Sequence, residues 1–212
     1  MNQLLRRLLL IIVFLATSIY NANSQNAEQI FQRGNALSEN GKYEEALFYV
    51  DSSLNIDSSL YQRYGFRSEL NFKLGRYEAA IVDITKCIER CKCTTRKYHV
   101  SYYLLERAQL QLLNGNREAA ISDASKSITF NTNNWKSYNF RGIVRIKSGE
   151  LNDALADLNR SIAIDDNQAE SFITRGKLKI EMGDHVGACS DLSKVVSWGF
   201  DEFEPWIEEN CN

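Results

Sequence analysis

The residues best suited to chemistry are five cysteines and two histidines. Cys87, Cys91, Cys93 and His99 fall within 13 residues, and four such groups can hold a zinc ion. Their spacing matches no common zinc pattern, and Cys87 falls at a small, helix-packing position. The other reading is one disulfide and one thiol, with a pairing that sequence does not reveal. Cys189 and Cys211 are the remaining cysteines. A bond between them would crosslink the end of the chain and contribute ~2–4 kcal/mol. No nucleophile elbow, phosphate loop or metal-binding histidine pair is present. The acids are scattered and form no identifiable general acid–base pair. The expectation is a protein that is not an enzyme, with no cofactor and no metal.

Arginine is the other chemical group with a pattern. It recurs as Arg33, Arg67, Arg107, Arg141 and Arg175. Sixteen residues later stand Asp83, Asp123, Asp157 and Asp191, with Tyr49 in the first instance. A planar guanidinium suits a two-pronged, partly buried contact with a carboxylate. A row of arginines could also grip an anionic ligand. The constant spacing of the aspartates favours internal pairs, because buried charges are normally paired. Whether each partner lies in the same repeat or the next is open from sequence. Arg33 is the exception, lacking an aspartate of its own.

These residues sit on a repeating frame. Glycine recurs at Gly41, Gly75, Gly115, Gly149 and Gly183, in steps of 34, 40, 34 and 34. Eight residues before each glycine is the arginine, followed by a small residue: Gly34, Ser68, Ala108, Gly142 or Gly176. Five residues after it is Ala46, Ala80, Ala120, Ala154 or Ala188. The glycine ends a helix, since it turns cheaply into the left-handed conformation. The small residue and the alanine let two antiparallel helices approach closely. Tyr43, Leu47, Val50 and Leu54, then Tyr77, Ile81, Ile84 and Ile88, supply apolar faces at helical spacing. A single hairpin of this kind cannot bury its apolar face, so the units stack.

The period of 34, the small residue, the glycine, the aromatic two residues on and the alanine resemble the tetratricopeptide repeat. The resemblance covers about residues 27–198, as units 27–60, 61–94, 101–134, 135–168 and 169–198. It implies an all-α, right-handed α-solenoid of about five helix-turn-helix units. Two features depart from the family. Its usual proline is replaced by Ser58, Lys92, Thr132 and Asp166, and an extra six residues, 95–100, lengthen the connection between units two and three. Beyond Trp198 and Gly199, residues 201–204 have the form of a capping box. A last helix, about 202–210 within a terminal segment 199–212, would cover the open end of the stack.

In this family the first helix of each unit lines a concave groove that holds a protein segment. Carried over, the inward positions of unit one include Phe31, Gln32 and Asn35, with Glu28 beside them. Those of unit two are Gln62, Phe66 and Glu69, around Gly65. Unit three offers Tyr102, Glu106 and Gln109, with Leu105. Units four and five offer Lys136, Asn139, Phe140 and Ile143, then Glu170, Ile173, Thr174 and Lys177. Aromatic anchors among amides resemble a protein-binding face. The alternative is that Phe31, Phe66 and Phe140 pack between helices. The carboxylate clamp that some members use for acidic chaperone tails is not reproduced. Phe31 stands at a lysine position, Phe66 at an asparagine position and Glu106 at the arginine position.

The first 24 residues read as a separate object. Arg6 and Arg7 precede an apolar stretch, 8–20, and Ala22-Asn23-Ser24 supplies a small-residue site ahead of Gln25. This is the form of a secretory signal peptide, with an uncleaved membrane anchor as the alternative. Removing it takes away two arginines and no acid, moving the net charge from −2 to −4. A mildly acidic chain without a basic stripe argues against nucleic-acid binding. The expected location is exported, periplasmic or secreted, an oxidising setting for the cysteines. The ending of the chain resembles exported repeat proteins of the Bacteroidetes type. Three functions follow: a scaffold binding a protein or peptide segment in its groove, a structural subunit of an envelope assembly using its convex face or ends, or a metal- or redox-responsive module at Cys87–Cys93.

Overall fold

A computed structural model describes residues 3–91 and 97–211, with side chains from Arg7 onward. The described residues are helical throughout, without a strand. Helices α1 (Gln3–Glu39) and α2 (Tyr43–Ile56) form the first repeat, and α3 (Tyr61–Lys73) and α4 (Tyr77–Arg90) the second. Then come α5 (Lys97–Leu113) with α6 (Arg117–Phe130), α7 (Trp135–Lys147) with α8 (Leu151–Ile164), and α9 (Ala169–Glu181) with α10 (His185–Val196). A 3-10 turn over Asp201–Phe203 and α11 (Glu204–Asn210) complete the chain. The chain divides into two compact bodies, one ending at Arg90 and the other starting at Cys91.

The turn inside every repeat has one chemistry. The five repeat glycines all have positive φ, between 72° and 83°. At the fourth, Gly149 donates to Ile146 O at 3.0 Å and Glu150 to Arg145 O at 2.9 Å. This paired bonding is a Schellman turn, which satisfies carbonyls that the helix end leaves open. The same pair of bonds recurs at the other four, for example from Gly41 to Ser38 O and from Lys42 to Leu37 O.

The close approach of the helices depends on the small residues. A Cβ on Gly176 would lie 2.8 Å from Leu192 Cδ2. In the second repeat Ser68 fills the same place, and its hydroxyl donates to Ala80 O at 2.9 Å. All five partner alanines are fully buried. Around them the large apolar residues interlock: Leu158 and Leu178 form a core with Ala154, flanked by Ile146, Leu151 and Leu155.

Two sequence expectations change. The residues before Ser101 are not all connection: from Lys97 they add a turn to α5, which runs 17 residues. Val100 on this turn is buried, which gives the extension an apolar anchor. The capping box at 201–204 does not form. Residues Asp201–Phe203 make a 3-10 turn and α11 starts after Phe203, with no side-chain cap bond. Pro205 in the first turn of α11 favours a start there, because it lacks the N–H that a cap would bind. Burial of Phe203 against Phe172, Leu192 and Val195 fixes the turn, with Trp206 and Ile207 covering the same core.

Helix α1 is continuous from the apolar N-terminal stretch into the first repeat, and residues 8–20 are exposed. Over Arg7–Glu39 it is long and apolar enough to cross a membrane by length and composition, a test that a signal sequence also passes.

Replacing Gly149 tests the turn in isolation. Its Cβ would meet nothing within 4 Å, so Gly149→Ala carries only backbone strain. The expected loss is about 1–2 kcal/mol, read as a lower urea midpoint at unchanged slope.

Candidate protein-binding site

The repeated arginines and aspartates meet inside each repeat. Arg67 Nε and Nη2 donate to Asp83 Oδ2 and Oδ1 at 2.9 and 2.6 Å. Arg107 binds Asp123 with two bonds of 2.7 Å. Arg141 binds Asp157 at 2.9 and 2.7 Å, and Arg175 binds Asp191 at 2.8 and 2.6 Å. The four aspartates are buried. Asp83 in turn holds the Arg67 guanidinium strongly in its protonated form.

The remaining nitrogen reaches backward. Arg67 Nη1 donates to Asp51 at 2.5 Å, Arg141 Nη1 to Ser125 at 2.8 Å and Arg175 Nη1 to Asn159 at 2.7 Å. Each of these acceptors belongs to the preceding repeat, sixteen residues upstream. The partner question left open by the sequence therefore has two answers: the carboxylate is in the same repeat and a second, polar acceptor is in the one before. An arginine saturated in this way has little left for an outside anion.

Sequence reasoning missed the residues that complete this pair. Four residues after the arginine, Asn71, Arg145 and Lys179 donate to the same carboxylates at 3.3, 2.7 and 2.9 Å. The signal was available, because the first repeat has Leu37 there and lacks the aspartate too. Its Arg33 instead stacks on Tyr49, 5.2 Å from the ring centroid.

A second ladder explains Cys87. Twelve residues after the repeat glycine, Cys87, Ser127 and Ser161 donate to Tyr61 O, Ser101 O and Trp135 O at 3.1, 2.6 and 2.9 Å. Ser127 and Ser161 also bond Ser137 and Ser171 of the following repeat, each at 2.8 Å. Cys87 is thus a packing residue, as its position suggested. Cys91 is buried, and Cys93 lies outside the described residues. Among the described residues no three His, Cys, Asp or Glu groups are placed to hold a metal.

In the second repeat, the position of Ser137 and Ser171 is taken by Arg63, which sequence reasoning also passed over. Its side chain is 1% exposed. It donates to Asp57 O at 2.9 Å and to Glu28 Oε2 at 3.1 Å. Buried Ser53 consequently has no hydroxyl partner. A bond from Gln32, and then Arg63, lowers the pKa of Glu28. Bonds from Ser59, and then the charge of Arg63, lower that of Asp57.

The groove positions separate into open and closed ones. In the N-terminal body, Phe31 and Phe66 are half-buried and meet edge to face at 5.4 Å. With Asn35, Ser38, Glu39, Tyr43, Glu69 and Lys73 they line an open cleft of about 470 Å³. Gln32 and Gln62 are exposed beside it. In the C-terminal body, Tyr102, Gln109, Lys136 and Lys177 are exposed, and Glu106 and Phe140 are half-buried. Lys177 lies 5.3 Å from the centroid of the Phe203 ring. A cleft of about 560 Å³ is bounded by Glu170, Ile173 and Thr174 together with Trp198 and Phe200, which the repeat pattern did not point to. Asn139 needs correction: it is 2% exposed and donates to Glu170 at 2.8 Å. It joins neighbouring repeats and is closed to a partner. Leu105 is buried likewise.

At the C-terminal end Cys189 and Cys211 are disulfide-bonded, with Cα atoms 5.7 Å apart. His185 stacks on Trp206 at 6.3 Å, so packing occupies this histidine.

Residues 61–92 match the family model of the tetratricopeptide repeat. No curated protein matches the chain. Among solved structures, MamA from Desulfovibrio magneticus RS-1 superposes with a TM-score of 0.70 at 16% identity, over 85% of this chain and 97% of that one. YrrB, described as a TPR protein with an unusual peptide-binding site, gives 0.65 at 18% identity, over 88% and 93%. The C-terminal part of a TPR repeat-containing protein from Cytophaga hutchinsonii gives 0.69 at 18%, over 82% and 66%. At these identities the likeness is one of fold.

Two measurements test these contacts. Asp157→Asn leaves Arg141 and Arg145 without their shared charge and should cost about 3 kcal/mol or more in urea unfolding. Arg33→Ala removes only a stack on Tyr49 and should cost about 1 kcal/mol or less. The second test is acid titration. A carboxylate with a lowered folded pKa stabilises above its unfolded pKa, and that contribution is lost as pH falls through the folded value. Thermal stability should therefore drop between roughly pH 5 and pH 3, and Gln32→Leu should flatten the part due to Glu28.

Proposed function

We propose that the chain is a protein-interaction scaffold that holds a segment of another protein on the first-helix face of its repeats. The observation that carries this reading is the open cleft of the N-terminal body. Phe31, Phe66 and Tyr43 offer aromatic surface there, with Asn35, Glu39, Glu69 and Lys73 around them. Aromatic anchors surrounded by polar groups supply most of the energy in such contacts. The peptide-binding site described for YrrB, a protein of the same fold, supports the choice of a peptide segment. The internal saturation of the arginines supports a binding role over an enzymatic one, since the most regular charged groups are spent on holding the repeats together.

The setting in this reading is an exported protein like those of the Bacteroidetes type. The leader, residues 1–24, is cut ahead of Gln25, or is kept as a membrane anchor. One observation favours a second reading, as a structural subunit. Phe48 on α2 and Val82 on α4 stand 34 residues apart and are 68% and 54% exposed. They would carry contacts on the second-helix face.

Affinity capture from the native envelope fraction separates the two readings. The intact chain is compared with a Phe66→Ala/Phe140→Ala variant, after circular dichroism has established that the variant is folded. Groove binding predicts a partner retained by the first and lost by the second, with affinity lower by about thirtyfold. Equal retention by both, and loss with Phe48→Ser/Val82→Ser, would transfer the site to the second-helix face.

A further inference from the structure

We propose that the cleft between α1 and α3 takes a cationic side chain, arginine or lysine, of the bound segment. This deepens the interaction reading above and rests on it. The argument starts from what the cleft offers. Its floor is the edge-to-face pair Phe31 and Phe66, with Tyr43 beside it. Ring faces attract cations, and this floor already holds one: the Arg63 guanidinium lies 5.7 Å from the Phe31 centroid. The rim carries Glu39 and Glu69, both exposed and neither held in an ion pair among the described residues. Two carboxylates and aromatic faces together match a side chain that only donates.

Lys73, on the same rim, is the counterargument. Arg63 beneath the floor is already paired with Glu28 and Asp57, so among the rim groups one ammonium against two carboxylates leaves a net charge of about −1. An acidic segment would have to approach Glu39 and Glu69 to reach Lys73. The charge balance therefore favours a basic residue and sets this cleft apart from the lysine- and arginine-lined clamp that takes acidic tails.

The test uses the full chain in mild detergent and three fluorescent peptides in one glycine–serine background. Each has at its centre an arginine, a citrulline (its neutral isostere) or a glutamate. Fluorescence anisotropy should show the arginine peptide binding about fivefold or more tightly than the citrulline peptide, with the ratio falling as salt is raised. Glu39→Gln/Glu69→Gln, a pair of surface changes, should bring the ratio to one. Equal binding of the arginine and citrulline peptides, or no binding of the arginine peptide at millimolar concentration, overturns the proposal. A preference for the glutamate peptide that Lys73→Met abolishes overturns it in favour of an acidic segment. If charge makes no difference while Phe66→Ala still releases the captured partner, the scaffold reading stands and the cation is wrong.

Discussion

The contact on which the array depends is the arginine that faces two ways. Two nitrogens close a fork on a buried carboxylate of the same repeat, and the third reaches a polar group of the repeat before. A guanidinium is rigid and planar, so satisfying both ends fixes the distance and the rotation between neighbouring hairpins. A well-packed apolar pair at the same place would often stabilise as well or better. The serine ladder on the other flank works similarly, with Ser127 and Ser161 each joining the carbonyl of their own repeat to a hydroxyl of the next. Polar pairs set the register, and Leu158, Leu178 and Leu192 fill the space between.

The N-terminal repeat shows what happens where that rule lapses. Tyr49 and Leu37 replace the aspartate and its polar helper, and Arg33 remains exposed against a ring. The fork inside that repeat is lost, but Arg67 still reaches back to Asp51, and Arg63 adds a second tie, clamped between Glu28 of α1 and Asp57 at the end of α2. The clamp displaces the serine contact and leaves Ser53 unbonded. At this junction one buried cation stands in for the serine ladder, beside the aromatic cleft.

Much of this was legible in the sequence, for a physical reason. A repeat forces the same local problem to be solved several times, so its solutions appear as period: the glycine of the turn, the small residue and alanine of the close approach, the arginine and its aspartate. What was not legible lies where the period breaks. Arg63 stands at a position where only the fourth and fifth repeats carry serine, and nothing in its spacing announces burial. Asn139 stands at an inward position of the repeat but turns to Glu170 of the next one, which is visible only in three dimensions. Trp198 and Phe200 belong to the end of the array and follow no repeat position. The turn at 201–204 had the letters of a capping box, but burial of Phe203 and the place of Pro205 decided otherwise.

Helix α1 passes from the apolar stretch into the first repeat without a break. Between Tyr20 and Ala27, the first buried residue of the repeat, an α-helix rises only about 10 Å. A chain that kept its leader in a bilayer would thus have a tether with no slack. Flexible linkers let a tethered domain sweep a volume and meet partners at a distance. This one would hold its first cleft about three to five helical turns beyond the end of the apolar stretch and could meet only what comes near the membrane surface. Cutting ahead of Gln25 would convert a fixed tether into a freely diffusing chain, at the loss of the Ser24 bond to Asp57.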